Sequence, residues 1–151
     1  MNKYVGVKLV EAELMSFGEY VLSIHKDEPS AEESLHKGYK VTYPDGYVSW
    51  SPKDVFEKAY YKLSDPEGNR IVKEDVENFI AGNYTGSKVG LKTSCITATL
   101  KSGYEITESS SCVDPHYFDY AIGEKICLEK ISDKVWALLG FLLQCGKYGM
   151  K

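Results

Sequence analysis

The residue types best suited to chemistry in this chain crowd between Thr93 and Asp119. Thr93, Thr97 and Thr99 fall at alternate positions of one run, and Thr107, Ser109, Ser110 and Ser111 follow in a second. A hydroxyl both donates and accepts hydrogen bonds, so a sheet face rich in Thr and Ser offers polar contacts without net charge. Asp114-Pro115 then opens a helix start that runs to Asp119. The first amides of a helix lack partners inside it and bind anions such as phosphate. Tyr104, Tyr117 and Phe118 lie close in sequence and offer rings for a base to stack on. The candidate ligand-binding residues are therefore Thr93, Thr97, Thr99, Tyr104, Thr107, Ser109, Ser110, Ser111, Asp114 and Tyr117. The ligand chemistry they fit is a small nucleotide. The plainer alternative is that Thr and Ser simply suit exposed strands and Asp114 simply caps a helix.

Catalytic patterns are poor by comparison. Cys112, His116 and Asp119 supply a nucleophile, a base and a carboxylate, but a single turn makes them neighbours and nothing orients them as a relay. His25 and His36 sit in a polar stretch and are expected to be solvated. Cys95, Cys112, Cys127 and Cys145 match no zinc spacing, so they are expected to be reduced thiols that pack as small hydrophobes. The chain has no Walker loop, no GxGxxG, no GxSxG and no HExxH. No catalytic residue, metal or cofactor is expected, and the chain reads as a binding protein.

Charge narrows the ligand class. The net charge is −4 with a pI near 5.4, and Arg70 is the sole arginine among 18 basic residues. Proteins that grip duplex nucleic acid are usually basic and read bases with arginine, so that partner is excluded. No run reaches the roughly 18 apolar residues of a membrane span. The N-terminus lacks a signal-peptide core, which places the protein in the cytosol. Apolar residues make up 43% of the 151, enough for a real core.

The elements that must position these residues follow from periodicity. Residues 3–10 alternate in part and read as a strand. Ser16 and Glu19 form a capping-box pattern for a helix to Ile24, and residues 25–37 form a charged loop. Pro44-Asp45-Gly46 between Tyr39–Tyr43 and Tyr47–Trp50 predicts a hairpin. Ser51-Pro52 predicts a cap followed by a helix to about Tyr61. Residues 64–70 are a composition break. A short helix is expected over 72–81, and 85–90 reads as irregular. Residues 92–100 and 104–111 alternate as a second hairpin around Lys101-Ser102-Gly103, ahead of a helix from about Asp119 to Cys145. The fold class is α+β, small antiparallel hairpins with a long C-terminal amphipathic helix. The expected organisation is an N-terminal module (1–63), a linker with a short helix (64–90) and a hairpin-helix domain (91–151).

Leu128, Ile131, Val135, Leu138 and Leu142 repeat at 3, 4, 3, 4 along that helix, which is a heptad seam. Trp136, Leu139 and Leu143 widen it beyond what one small hairpin covers. The seam is expected to pack on its copy in a homo-oligomer, with coverage by the first half of the chain as the alternative.

Residues 93–144 carry several fixed points: Thr97-Ala-Thr-Leu-Lys-Ser-Gly-Tyr104, Glu108-Ser-Ser-Ser-Cys-Val-Asp-Pro115, Phe118-Asp119, Ile122-Gly123, Lys134-Val-Trp136 and Leu139-Gly-Phe-Leu-Leu143. This pattern resembles the small phage proteins typified by gene product forty-nine of phage N-four and gene sixty-six of phage Sf-six. Residues 38–56 look like a module found in phage and prophage proteins. The chain also resembles Thoeris anti-defence sponge proteins, which are small phage oligomers with a β-region followed by C-terminal helices. That resemblance implies sequestration of cyclic ADP-ribose-type signals or, as in CBASS, cyclic oligonucleotides, in the host cytoplasm. It also sets a departure, because lysines such as Lys92, Lys101 and Lys125 would stand where arginine forks are expected. Two other functions compete: a protein-binding inhibitor of a host defence system, anti-CRISPR-like, using the acidic run 27–33 and the aromatic hairpin 39–50, and a non-catalytic structural or regulatory phage module.

Overall fold

The structure is a computed structural model that describes every residue except 25, 26 and 28. His25 and part of the acidic run 27–33 therefore lie outside the described residues. The fold is α+β, with two antiparallel three-stranded sheets and a long C-terminal helix. It divides into two compact units, Met1–Lys62 with Gly146–Lys151, and Leu63–Cys145.

In the first unit, β1 (Glu11–Leu14), β2 (Gly38–Thr42) and β3 (Val48–Pro52) form a sheet in that order. The first strand lies later than the expected 3–10. Its place is set by pairing, with Glu11 opposite Thr42 and Leu14 opposite Tyr39, and partial alternation in 3–10 cannot supply a partner. The capping box is present at α1 (Phe17–Ser23), where the Ser16 hydroxyl accepts from Glu19 N at 3.2 Å and the Glu19 carboxylate accepts from Ser16 N at 2.8 Å. A second box, Ser30 with Glu33, builds the one-turn α2 (Ala31–Ser34) inside the expected loop. His36 is exposed, as expected. The Pro44-Asp45-Gly46 turn joins β2 to β3. Ser51 does not cap α3 (Lys53–Ala59). Pro52 holds the cap position, and the Ser51 hydroxyl donates to the Pro52 carbonyl at 3.4 Å. Tyr39 stacks on Phe56 and Phe56 on Tyr60, with centroids 4.3 and 4.7 Å apart, while Val41 is buried.

The second unit opens on the composition break. Asp75, at the start of α4 (Lys73–Ile80), is fully buried, and its carboxylate accepts from Ser64 N at 2.8 Å and Val72 N at 2.9 Å. One side chain thus ties both ends of the 64–72 loop. The helix ends on Ala81 and Gly82, both left-handed. Residues Tyr84–Val89, read from sequence as largely irregular, form a strand, β4, beside β5 (Thr93–Thr99) and β6 (Glu105–Ser111) in the order β4-β5-β6. Gly86 hides β4 from pattern reading, yet the strand requires it, since a Cβ there would strike the Tyr120 hydroxyl and Ile96. After a short 3-10 turn (Pro115–Tyr117), α5 runs from Tyr120 to Tyr148.

The helix meets the sheet where side chains are small. A Cβ on Gly123 would lie 2.7 Å from the Ser94 Cβ, and the Cys127 thiol reaches the Ser94 carbonyl at 3.6 Å. Ile96, Ala98 and Ile106 from the sheet are buried, as are Cys127, Ile131, Val135 and Leu139 from the helix. Alternation then sends the remaining side chains of each strand to the opposite face.

Candidate functional site: an uncovered hydroxyl face

Pairing in the second sheet places the hydroxyls in rows. Thr93 lies opposite Ser111, Cys95 opposite Ser109, and Thr97 opposite Thr107. On the other side of β5, Thr85 lies opposite Thr97 and Ser87 opposite Cys95. The face turned away from α5 therefore carries Thr and Ser on all three strands, with Val89, Cys95 and Glu105 among them. Of the candidate ligand residues, Thr93, Thr97, Thr99, Thr107, Ser109 and Ser111 come together there. Thr85 and Ser87 join them unforeseen. Their Thr-Gly-Ser spacing is the signal that was available, and the central glycine masks it.

Ser110 does not belong to this face. It pairs with Ser94, which is fully buried on the α5 side, because neighbouring strand residues point to opposite faces. The face is also partly satisfied by itself. Thr93 and Ser111 share a 2.6 Å hydrogen bond, and Thr97 and Thr107 share one of 2.8 Å. Each hydroxyl keeps spare capacity, since one oxygen supports a donor and two acceptor directions. The charged residue in these rows is Glu105, opposite Thr99 at one end.

At the expected helix-start site the chain's own carboxylates cap the free amides. The Asp114 carboxylate accepts from His116 N at 2.9 Å, and the Asp119 carboxylate accepts from Ala121 N at 3.0 Å and Ile122 N at 3.4 Å. The amides that would have held a phosphate are occupied by the chain's own carboxylates, and a bound anion would meet two like charges. The Asp114 side chain serves as a cap. The aromatics are separated too. Tyr104 precedes β6 and Tyr117 follows it, so a strand of about 20 Å lies between them. Lys88 sits over the Phe118 ring at 4.8 Å, and the Lys92 ammonium donates to the Val113 carbonyl at 2.9 Å.

Cys112, His116 and Asp119 each have other partners. The Cys112 thiol points to the Asp114 carbonyl at 3.2 Å, the His116 ring meets Tyr117 edge-on at 5.3 Å, and Asp119 caps α5. Burial pushes the Cys127 thiol pKa up. Burial also raises the Tyr120 hydroxyl, with Glu124 adding to the shift. No cluster of three or more His, Cys, Asp or Glu able to hold a metal ion occurs among the described residues.

The heptad seam splits. Ile131 and Val135 are 0% exposed, whereas Leu138 and Leu142 are 42% and 40% exposed and Leu128 is half-buried. Ile131 and Val135 continue the every-fourth-residue stripe of Gly123 and Cys127, both of which meet Ser94 of β5. They are core residues, not oligomer contacts. Leu138 and Leu142, with Phe141 at 66% exposure, are what remains of the seam as open surface.

The comparisons bear on this same region. The family model described as the Phage protein (N4 Gp49/phage Sf6 gene 66) family matches residues 71–146, half of the chain. The chain belongs to that family. The match extends beyond the motif-bearing stretch 93–144 to take in all of α4 and β4, so it spans the whole hydroxyl-faced sheet. Neither a curated protein nor a solved structure matches the chain. Among the described residues, no helix is long and apolar enough to cross a membrane.

Proposed function

We propose that this phage family member is a counter-defence protein that acts in the host cytoplasm by binding rather than by chemistry. In this reading it is an oligomeric sponge for a host cyclic nucleotide or cyclic ADP-ribose-type immune signal, without cofactor or metal. The observation that supports it is the uncovered, nearly uncharged hydroxyl face across β4, β5 and β6. Such a face suits the many ribose hydroxyls and base edges of a cyclic nucleotide better than it suits a bare phosphate, and the capped helix start points the same way. Tyr104 and Tyr117, at opposite ends of β6, cannot stack on one base together.

Calorimetry against cyclic dinucleotides, cyclic trinucleotides and cyclic ADP-ribose isomers tests the reading. Binding to one of them, weakened at least tenfold by Thr97→Val with Thr107→Val at unchanged melting temperature, is the expected outcome. No heat and no thermal shift with any of them sinks it. The exposed Leu138, Phe141 and Leu142 support a second reading, an inhibitor that docks a host defence protein through α5. A stoichiometric host partner lost with Phe141→Asp, in a protein that binds no nucleotide, would put that reading first.

A further inference from the structure

The two edges of the second sheet are not equivalent. Thr99 N donates to the Asn83 carbonyl at 2.9 Å, so Asn83 faces β5. Backbone polar groups alternate in direction along an antiparallel strand. Thr85, Ser87 and Val89 therefore face β5, and Tyr84, Gly86 and Lys88 turn their amides and carbonyls outward. By the same count the Ser109 carbonyl points out from β6, and there the Lys130 ammonium covers it at 2.8 Å. A lysine laid over an edge is a standard guard against pairing. The lysine of β4 itself, Lys88, lies over the Phe118 ring instead, and all six residues of the strand are exposed.

We propose that β4 pairs with β4 of a second copy of this chain, antiparallel and centred on Gly86. Four requirements meet in this one register. Gly86, with no side chain, faces its copy. Tyr84, Gly86 and Lys88 then exchange backbone hydrogen bonds with Lys88, Gly86 and Tyr84 of the other copy, so every outward group of the strand is used. Tyr84 comes opposite the other copy's Lys88, a phenol ring beside an ammonium. Thr85 comes opposite the other copy's Ser87, and the hydroxyl face continues unbroken from one copy into the other. A one-residue slip would set a hydroxyl position against the α5 side and lose both matches. The pairing concerns the same sheet as the proposed ligand face but needs no ligand, so an empty calorimeter trace leaves it standing.

Thr85 and the other copy's Ser87 form a non-hydrogen-bonded pair, with Cα atoms about 4.5 Å apart, within disulfide reach. In a Cys95→Ser, Cys112→Ser background, Thr85→Cys with Ser87→Cys is expected to give a covalent dimer under mild oxidation, while Thr85→Cys alone stays monomeric on a non-reducing gel. Lys88→Pro removes an outward amide without touching the β4–β5 ladder, and it is expected to weaken dimerisation in sedimentation at least tenfold. A wild-type chain that remains monomeric at 100 µM overturns the proposal. So does a dimer that ignores Lys88→Pro, forms no 85–87 cross-link and dissociates with Leu138→Asp, since it would then run through α5.

Discussion

Replacing Gly123 with alanine sets two effects of opposite sign against each other. In an isolated helix, alanine is favoured over glycine by about 1 kcal/mol. In this structure the added Cβ would lie 2.7 Å from the Ser94 Cβ and closer still to its hydroxyl. Rotating the serine moves the hydroxyl but cannot move its Cβ, and Ser94 is fully buried on the central strand. The helix or the strand must shift, and such overpacking costs about 1–3 kcal/mol. The clash outweighs the propensity gain, because the gain is smaller still at Gly123, whose amide bonds to Asp119 in the first turn. We expect Gly123→Ala to destabilise the protein by about 1–2 kcal/mol, a fall of roughly 4–15 °C in melting temperature for a unit of this size. Urea unfolding followed by circular dichroism reads it. Ser94→Gly in the same chain should recover part of the loss, because it removes the atom that is struck. If Gly123→Ala alone is more stable than wild type, α5 does not approach β5 as described and the assignment of the inner and outer sheet faces fails with it.

Ile131→Ala should cost about 2–5 kcal/mol by leaving a core cavity, whereas the exposed Leu138→Ala should cost under about 1 kcal/mol. Equal losses in denaturant would mean that the heptad seam is a single surface after all. Asp75→Ala strips the acceptor from Ser64 N and Val72 N and is expected to cost about 2–3 kcal/mol, with hydrogen exchange rising first in the 64–72 loop. Hydrogen bonds from the Ser16 backbone, and then from its side chain, hold the Glu19 carboxyl below its ordinary 4.5. A carboxylate depressed in the folded state stabilises it above the unfolded value, and that support is lost as pH falls through the folded value. The start of α1 should therefore fray as pH falls below the ordinary 4.5 of Glu19, and Ser16→Ala should bring Glu19 back towards 4.5 in an NMR titration.

Local signals in this chain were readable wherever the physics is local. The Ser16/Glu19 box, the Pro-Asp-Gly hairpin, the alternation of β5 and β6 and the length of α5 all depend on neighbours within a turn or a strand. The phage family was legible too, since its fixed points lie in one continuous stretch. Pairing and packing were not readable in this way. β4 was missed because its defining residue, Gly86, serves Tyr120 across space and looks like a strand breaker in sequence. Ser110 was put among the ligand residues because composition does not say which face a residue takes, and only the register with Ser94 decides it. That Asp114 and Asp119 cap the amides of the helix start was likewise not legible from spacing alone. Ile131 and Val135 obey a heptad as well as a single-subunit stripe, and only the close approach of Gly123 to Ser94 shows which side of α5 the sheet covers. The sequence by itself determined the elements built on local signals and the hydroxyl inventory. Tertiary structure alone decided which hydroxyls share a face, because strand partners are chosen by hydrogen bonds between residues far apart in the chain.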